Sequence, residues 1–179
     1  LAETSTLIAE VAAASQEKGF GTGWIDETGV TVRGKQVLEG RVEALAGSEM
    51  LMMDRGVDAA VVGITEPSML RTGLAFDRFD ILVIAGPHIA RGAPLDRRAP
   101  MQAMNELLGA LFPSCTGRVI SAAGTGLNLS GYAPLTTARC DEPPVEADSL
   151  VDTIVTAIVA AERRRRLVDG PHAGGAGGP

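Results

Sequence analysis

Apolar and polar positions alternate along the chain in two distinct rhythms. Leu7, Ile8, Val11, Ala12 and Ala14 recur near helical spacing, so Glu3 to Lys18 is expected to be a helix, with Thr4 or Ser5 as its cap. Gly19 stands where a helix ends. The rhythm then shortens. Gly21 to Ile25 reads as a strand, Asp26-Glu27-Thr28-Gly29 as a turn, and Val30 to Arg33 with Lys35 to Leu38 as a hairpin with one wet face. Val42 to Arg55 returns to helical spacing, and Leu45, Met50, Leu51, Met52 and Met53 form its apolar stripe. Methionine fills irregular interiors, so this cluster is expected in the core.

Continuous aliphatic runs follow. Asp58 to Ile64, Asp80 to Ala85 and Arg118 to Ala122 each read as a buried strand, the second stopped by Gly86-Pro87. A short helix is expected from Pro67 to about Gly73, a longer one from Pro100 to Phe112, and a last one from Glu146 to Leu167. Gly124-Thr125-Gly126 opens a polar loop reaching Pro144. Helices alternating with buried strands predict an α/β fold: three layers, a mainly parallel sheet with helices on both faces, plus a short β-hairpin. Residues 1–168 are expected to form one domain, and 169–179 a Gly-rich disordered tail.

Composition narrows the classes. A chain of 179 residues is long enough to bury a core, and with only 3% aromatics that core must be aliphatic. A net charge of −6 argues against nucleic acid, which needs a basic face. Arg163 to Arg166 is the one basic cluster; at the end of a helix it complements the helix dipole. No apolar run is long enough to span a membrane, and no secretory pattern opens the sequence, so a cytoplasmic location is expected. Cys115 and Cys140 alone suggest reduced thiols rather than a disulfide framework or a zinc set.

One string is distinctive. Met69-Leu70-Arg71 leads into Thr72-Gly73-Leu74-Ala75-Phe76-Asp77-Arg78-Phe79-Asp80, between Ala59-Ala60-Val61-Val62 and Ile81 to Ile84. It resembles the Mur ligase-like central domain of cyanophycin synthetase, where the run reads Ile-Leu-Arg-Glu-Gly-Leu-Ala-Phe-Asp-Arg-Cys-Asp. The hairpin from Trp24 to Lys35 and the helix around Met50 to Arg55 resemble the same family, and the similarity covers roughly Ser5 to Ile120. The resemblance implies P-loop-like topology and an ATP-dependent amide ligase that activates a carboxyl group as an acyl phosphate. It also implies ATP and magnesium as cofactors.

The residues that this chemistry requires are replaced. A Gly-Thr-Asn-Gly-Lys-Thr loop should precede the first helix, but Leu1-Ala2-Glu3-Thr4-Ser5-Thr6 holds neither Gly nor Lys. The family's metal-binding Glu, in Leu-Glu-Thr-Ala-Arg-Gly-Gly, corresponds to Gly63 in Val62-Gly63-Ile64-Thr65-Glu66-Pro67-Ser68, and Glu66 falls where the family has Arg. The Asn and Asp-His pair after the next strand give way to Ala85-Gly86-Pro87-His88-Ile89-Ala90-Arg91. An Asn-Ala-Asp-Asp stretch gives way to Ser121-Ala122-Ala123-Gly124.

Three of these losses are internal. They favour a catalytically degenerate domain that acts by binding or assembly, with no cofactor expected and a homo-oligomer or a partner ligase as partner. The alternative is part of an active amide ligase whose phosphate loop lies outside this chain, which would need ATP and magnesium. A third reading is a small-molecule binder using the rim at the strand ends, where Glu66, His88, Arg91 and Thr125 are the candidate residues. Arg71 and Asp77 match the family string and are expected to pin a turn as an ion pair. Gly19-Phe20-Gly21-Thr22-Gly23 follows a helix, the wrong context for a phosphate loop. Gly124-Thr125-Gly126 follows a strand but opens no prompt helix, which favours turn-forming glycine at both places.

Overall fold

The computed structural model describes residues 2–64, 72–85, 98–123, 125, 129–141 and 143–169. Helix α1 spans Ala2–Glu17, and Gly19 beyond it takes φ +89°, a left-handed conformation that glycine reaches without steric cost. Strands β1 (Thr22–Asp26), β2 (Gly29–Val32) and β3 (Lys35–Glu39) form an antiparallel meander. The first turn is set by Asp26, whose Oδ1 accepts hydrogen bonds from the Thr28 N–H at 2.7 Å and hydroxyl at 2.6 Å. β1 and β2 are largely buried, while every residue of β3 is exposed, so the wet side of the hairpin is its outer strand.

Helix α2 covers Ala44–Met53 and corrects the expectation for the methionines. It buries Ala44, Gly47, Ser48 and Leu51, a stripe at i, i+3, i+4 and i+7, against Ile25 and Val30. Met52 and Met53 lie outside that stripe, 62% and 83% exposed, and Met50 is exposed with them. Small residues won the inner face because the helix sits close on the sheet: a Cβ at Gly47 would lie 2.7 Å from Ile25 Cδ1.

Strands β4 (Ala59–Val62), β5 (Phe79–Ile84), β6 (Cys115–Ser121) and β7 (Arg139–Cys140) complete the β-structure, with α3 (Arg98–Leu111) and α4 (Ala147–Asp169) between or after them. β6 begins three residues before the expected Arg118, β7 lies inside the expected polar loop, and α4 runs on through Asp169. The expected helix from Pro67 lies mostly outside the described residues, as does the Gly-rich stretch after Asp169.

Hydrogen bonding makes two sheets rather than the single expected one: a mixed sheet ordered β3-β2-β1-β4 and a parallel sheet ordered β5-β6-β7. The fold is thus α/β with four α-helices among the described residues. Alternation sorts each strand's side chains onto two faces. Val61, Ile81, Val83 and Ile120 meet Val11 of α1 and Leu150 and Ile154 of α4. Leu82, Ile84 and Val119 point the other way, onto Leu108 and Leu111 of α3 and Phe112. Helices on two sides of the β-layer are compatible with a three-layer arrangement.

Candidate functional site

The strand ends that carry the candidate rim are described only in part. Glu66, His88 and Arg91 lie outside the described residues, as does Arg71. Thr125 follows β6 and is buried, its hydroxyl 3.2 Å from that of Ser121, itself 1% exposed. Two buried hydroxyls satisfying one another fit a loop anchor well. Asp77 is exposed, and its expected partner Arg71 falls outside the described stretch.

The distinctive string is held by residues that the sequence did not single out. Ser48, buried in α2, donates to the Leu45 carbonyl at 3.0 Å and accepts the Ala75 N–H at 3.0 Å. Thr72 donates its hydroxyl to Glu43 Oε2 at 2.9 Å. Leu74 and Phe79 pack on the α3 side of the core, and Phe76 meets Phe79 edge to face with centroids 6.3 Å apart. The signal for Ser48 was present in its place among Ala44, Gly47 and Leu51 on one helical face. A serine adds nothing to an apolar periodicity, so the hydrophobic pattern alone does not mark it.

Gly63 matters most for chemistry. Its N–H donates to the Ile25 carbonyl at 2.9 Å, continuing the β1–β4 ladder. A Cβ at Gly63 would lie 2.3 Å from Ile8 Cδ1 and 3.0 Å from the Ile25 oxygen. The end of the Ile8 side chain, on α1, therefore occupies the place that a Cβ would take. This does not fit a metal carboxylate: Gly63 faces Ile8 and an apolar cavity lined by Ile64, Leu82 and Ile84, with no polar side chain among the described residues of its wall. Among the described residues, no group of three or more His, Cys, Asp or Glu side chains converges in a way that would hold a metal ion.

Other charged pairs brace the fold. The Arg118 Nε donates to Asp141 Oδ1 at 2.9 Å and sits 2.7 Å from Oδ2, tying β6 to the end of β7. Arg165 reaches Asp80 at 3.2 Å, and Arg166 reaches Glu162 at 2.7 Å, so the basic end of α4 is engaged with neighbouring carboxylates. Such exposed pairs contribute little each. Cys115 and Cys140 form no disulfide; burial, partly offset by backbone hydrogen bonds, pushes the Cys115 thiol up. Among the described residues no helix is long and apolar enough to cross a membrane. The sequence matches no model of a known protein family and no curated protein.

Proposed function

We propose that this chain is a catalytically degenerate relative of the Mur ligase-like domain of cyanophycin synthetase, with its P-loop-like order of elements, and that it acts by binding or assembly. The observation that carries this reading is Gly63. At the position where the family places its metal-binding carboxylate, the chain has a buried glycine pressed between Ile8 and the Ile25 backbone. A carboxylate and its magnesium ion would contribute several kcal/mol to phosphoryl transfer, of the size usual for such electrostatic contacts. The Arg71 to Asp80 string supports the scaffold half of the reading, since Thr72 and Ala75 dock on α2 through Glu43 and Ser48.

The partner that this reading calls for is a second copy of the chain or an active ligase. Isothermal titration with Mg-ATP tests it directly, and no heat of binding is expected up to millimolar nucleotide. Micromolar binding, or ATP-dependent amide formation by the chain, would sink the proposal in favour of an active ligase.

A further inference from the structure

The inner edges of the two sheets face each other across a gap. β4 is the last strand of one sheet and β5 the first of the other. Both edges lie under the same helices, because Val61 of β4 and Val83 of β5 join one cluster with Val11 and Ile154. Yet β4 and β5 almost nowhere bring Cα atoms within 8 Å of each other. Paired strands lie about 4.7–4.9 Å apart, so among the described residues these two edges are not paired with each other.

Two cavities mark the two ends of this gap. One of about 470 Å³ is lined by Asp58 to Ala60 and Phe79 to Ile81, the starts of both strands. The other, about 190 Å³, is lined by Val61 to Ile64 and Leu82 to Ala85, the ends of both. The two edges therefore run in the same direction.

The backbone is aimed into the gap as well. Ala59 and Gly63 donate their N–H groups to β1, at the Gly21 and Ile25 carbonyls. Alternation turns the amides of Ala60 and Val62 the other way, toward β5. On the far side Ala122 donates to the Ile84 carbonyl, so Ile84 faces β6 and the backbone groups of Ile81 and Val83 face β4. Amides directed into the gap call for hydrogen-bond partners.

We propose that the slot between β4 and β5 receives one extended aliphatic strand, parallel to both, that leads directly into α1. The polarity of α1 supplies the connection. Leu7 and Ile8, early in the helix, line the cavity at the strand ends, whereas Phe20, just beyond it, lines the cavity at the strand starts. α1 thus runs back along the slot, antiparallel to β4 and β5, as a helix does when it follows a parallel strand. Toward the strand ends the walls select the chemistry, with Leu7, Val11 and Ile154 on one side and Leu107, Leu108 and Leu111 on the other, while charged side chains such as Asp58, Asp80 and Glu162 ring the mouth at the strand starts. A strand buried on both faces is a continuous Val- and Ile-rich run. Its length is four to six residues, matching the four of β4 and six of β5. The completed order is β3-β2-β1-β4-strand-β5-β6-β7. This rests on the gap and not on the family reading, so the nucleotide titration and the following test fail independently.

Amide exchange by NMR tests it on three proteins: the 179-residue chain, a fusion carrying Val-Ile-Val-Val-Ile ahead of Leu1 through a short Gly-Ser loop, and the same fusion with prolines at alternate strand positions. The strand fusion is expected to slow exchange at Ala60, Val62, Ile81 and Val83 about tenfold or more over the other two, leaving Ala59 and Gly63 unchanged. The pentapeptide added in trans to the unfused chain gives a second measurement, and slowing of those four amides in either format supports the slot. No slowing in either format overturns it. So do four amides already as slow as Ala59 in the unfused chain, which would mean a closed gap. Slowing that appears in the unfused chain only with dimerisation, read by sedimentation, places a second copy in the slot and overturns the proposed strand.

Discussion

Gly63→Ala adds a single methyl where the end of the Ile8 side chain already sits. Its Cβ would sit 2.3 Å from Ile8 Cδ1, well inside contact distance, and 3.0 Å from the backbone oxygen of Ile25. Ile8 is 6% exposed but lines a cavity of about 190 Å³, so its terminal methyl can turn partly aside, and the backbone oxygen of Ile25 is the harder wall. Overpacking of this kind costs about 1–3 kcal/mol. For a domain of this size each kcal/mol shifts Tm by roughly 2–4 °C, so a fall of about 2–12 °C is expected. Urea denaturation should show a lower midpoint with an unchanged slope.

A double-mutant cycle isolates the cause. Ile8→Val removes the methyl that clashes and alone costs about 0.5–1.5 kcal/mol. Combined with Gly63→Ala it should cost less than the sum of the two singles, by about 0.5 kcal/mol or more, since the residues share one contact. Rescue is expected to be partial because the Ile25 oxygen stays in place. A neutral Gly63→Ala, or strictly additive costs, would refute the claim that α1 occupies the side-chain space at Gly63. The argument against a metal carboxylate there would fall with it.

Two other outcomes follow from the packing. Ser48→Ala leaves the half-buried Ala75 N–H without its acceptor and should cost about 0.5–1.5 kcal/mol in urea denaturation, with faster amide exchange at Ala75; unchanged exchange there would show that the string does not depend on Ser48. Burial raises the Cys115 thiol above its usual value of about 8.5, so its reaction with a thiol reagent at neutral pH should lag behind that of an unfolded control. Because the folded value lies above the unfolded one, the Cys115 contribution to stability is complete below about pH 8.5 and is lost as pH rises through the folded value; Cys115→Ser should flatten that alkaline decline.

Much of the fold could be read from local pattern. The helices around Leu7, Leu51, Leu108 and Ile154 and the aliphatic strands are set by periodicity and by turn residues such as Asp26, Gly19 and Gly29, which act through their own backbone. The inner face of α2 was misread because three consecutive apolar residues, Leu51, Met52 and Met53, point in different directions around a helix. Only contact with Ile25 selects Leu51. β7 was missed because two residues carry no periodicity; their pairing with Arg118 and Val119 makes the strand.

The candidate site divides in the same way. That Gly63 replaces a carboxylate is a fact of sequence; that the space beside it is filled by Ile8 depends on how α1 crosses β4, fifty-five residues later in the chain. The sequence by itself determined the element types, the aliphatic core and the family-like string, because each depends on neighbours within a few positions. The tertiary structure decided which face of α2 is buried, that Ser48 holds Ala75, and that β4 and β5 edge two separate sheets. Those are matters of which distant surfaces meet, and strand order is written in hydrogen bonds between segments whose separation no local pattern records.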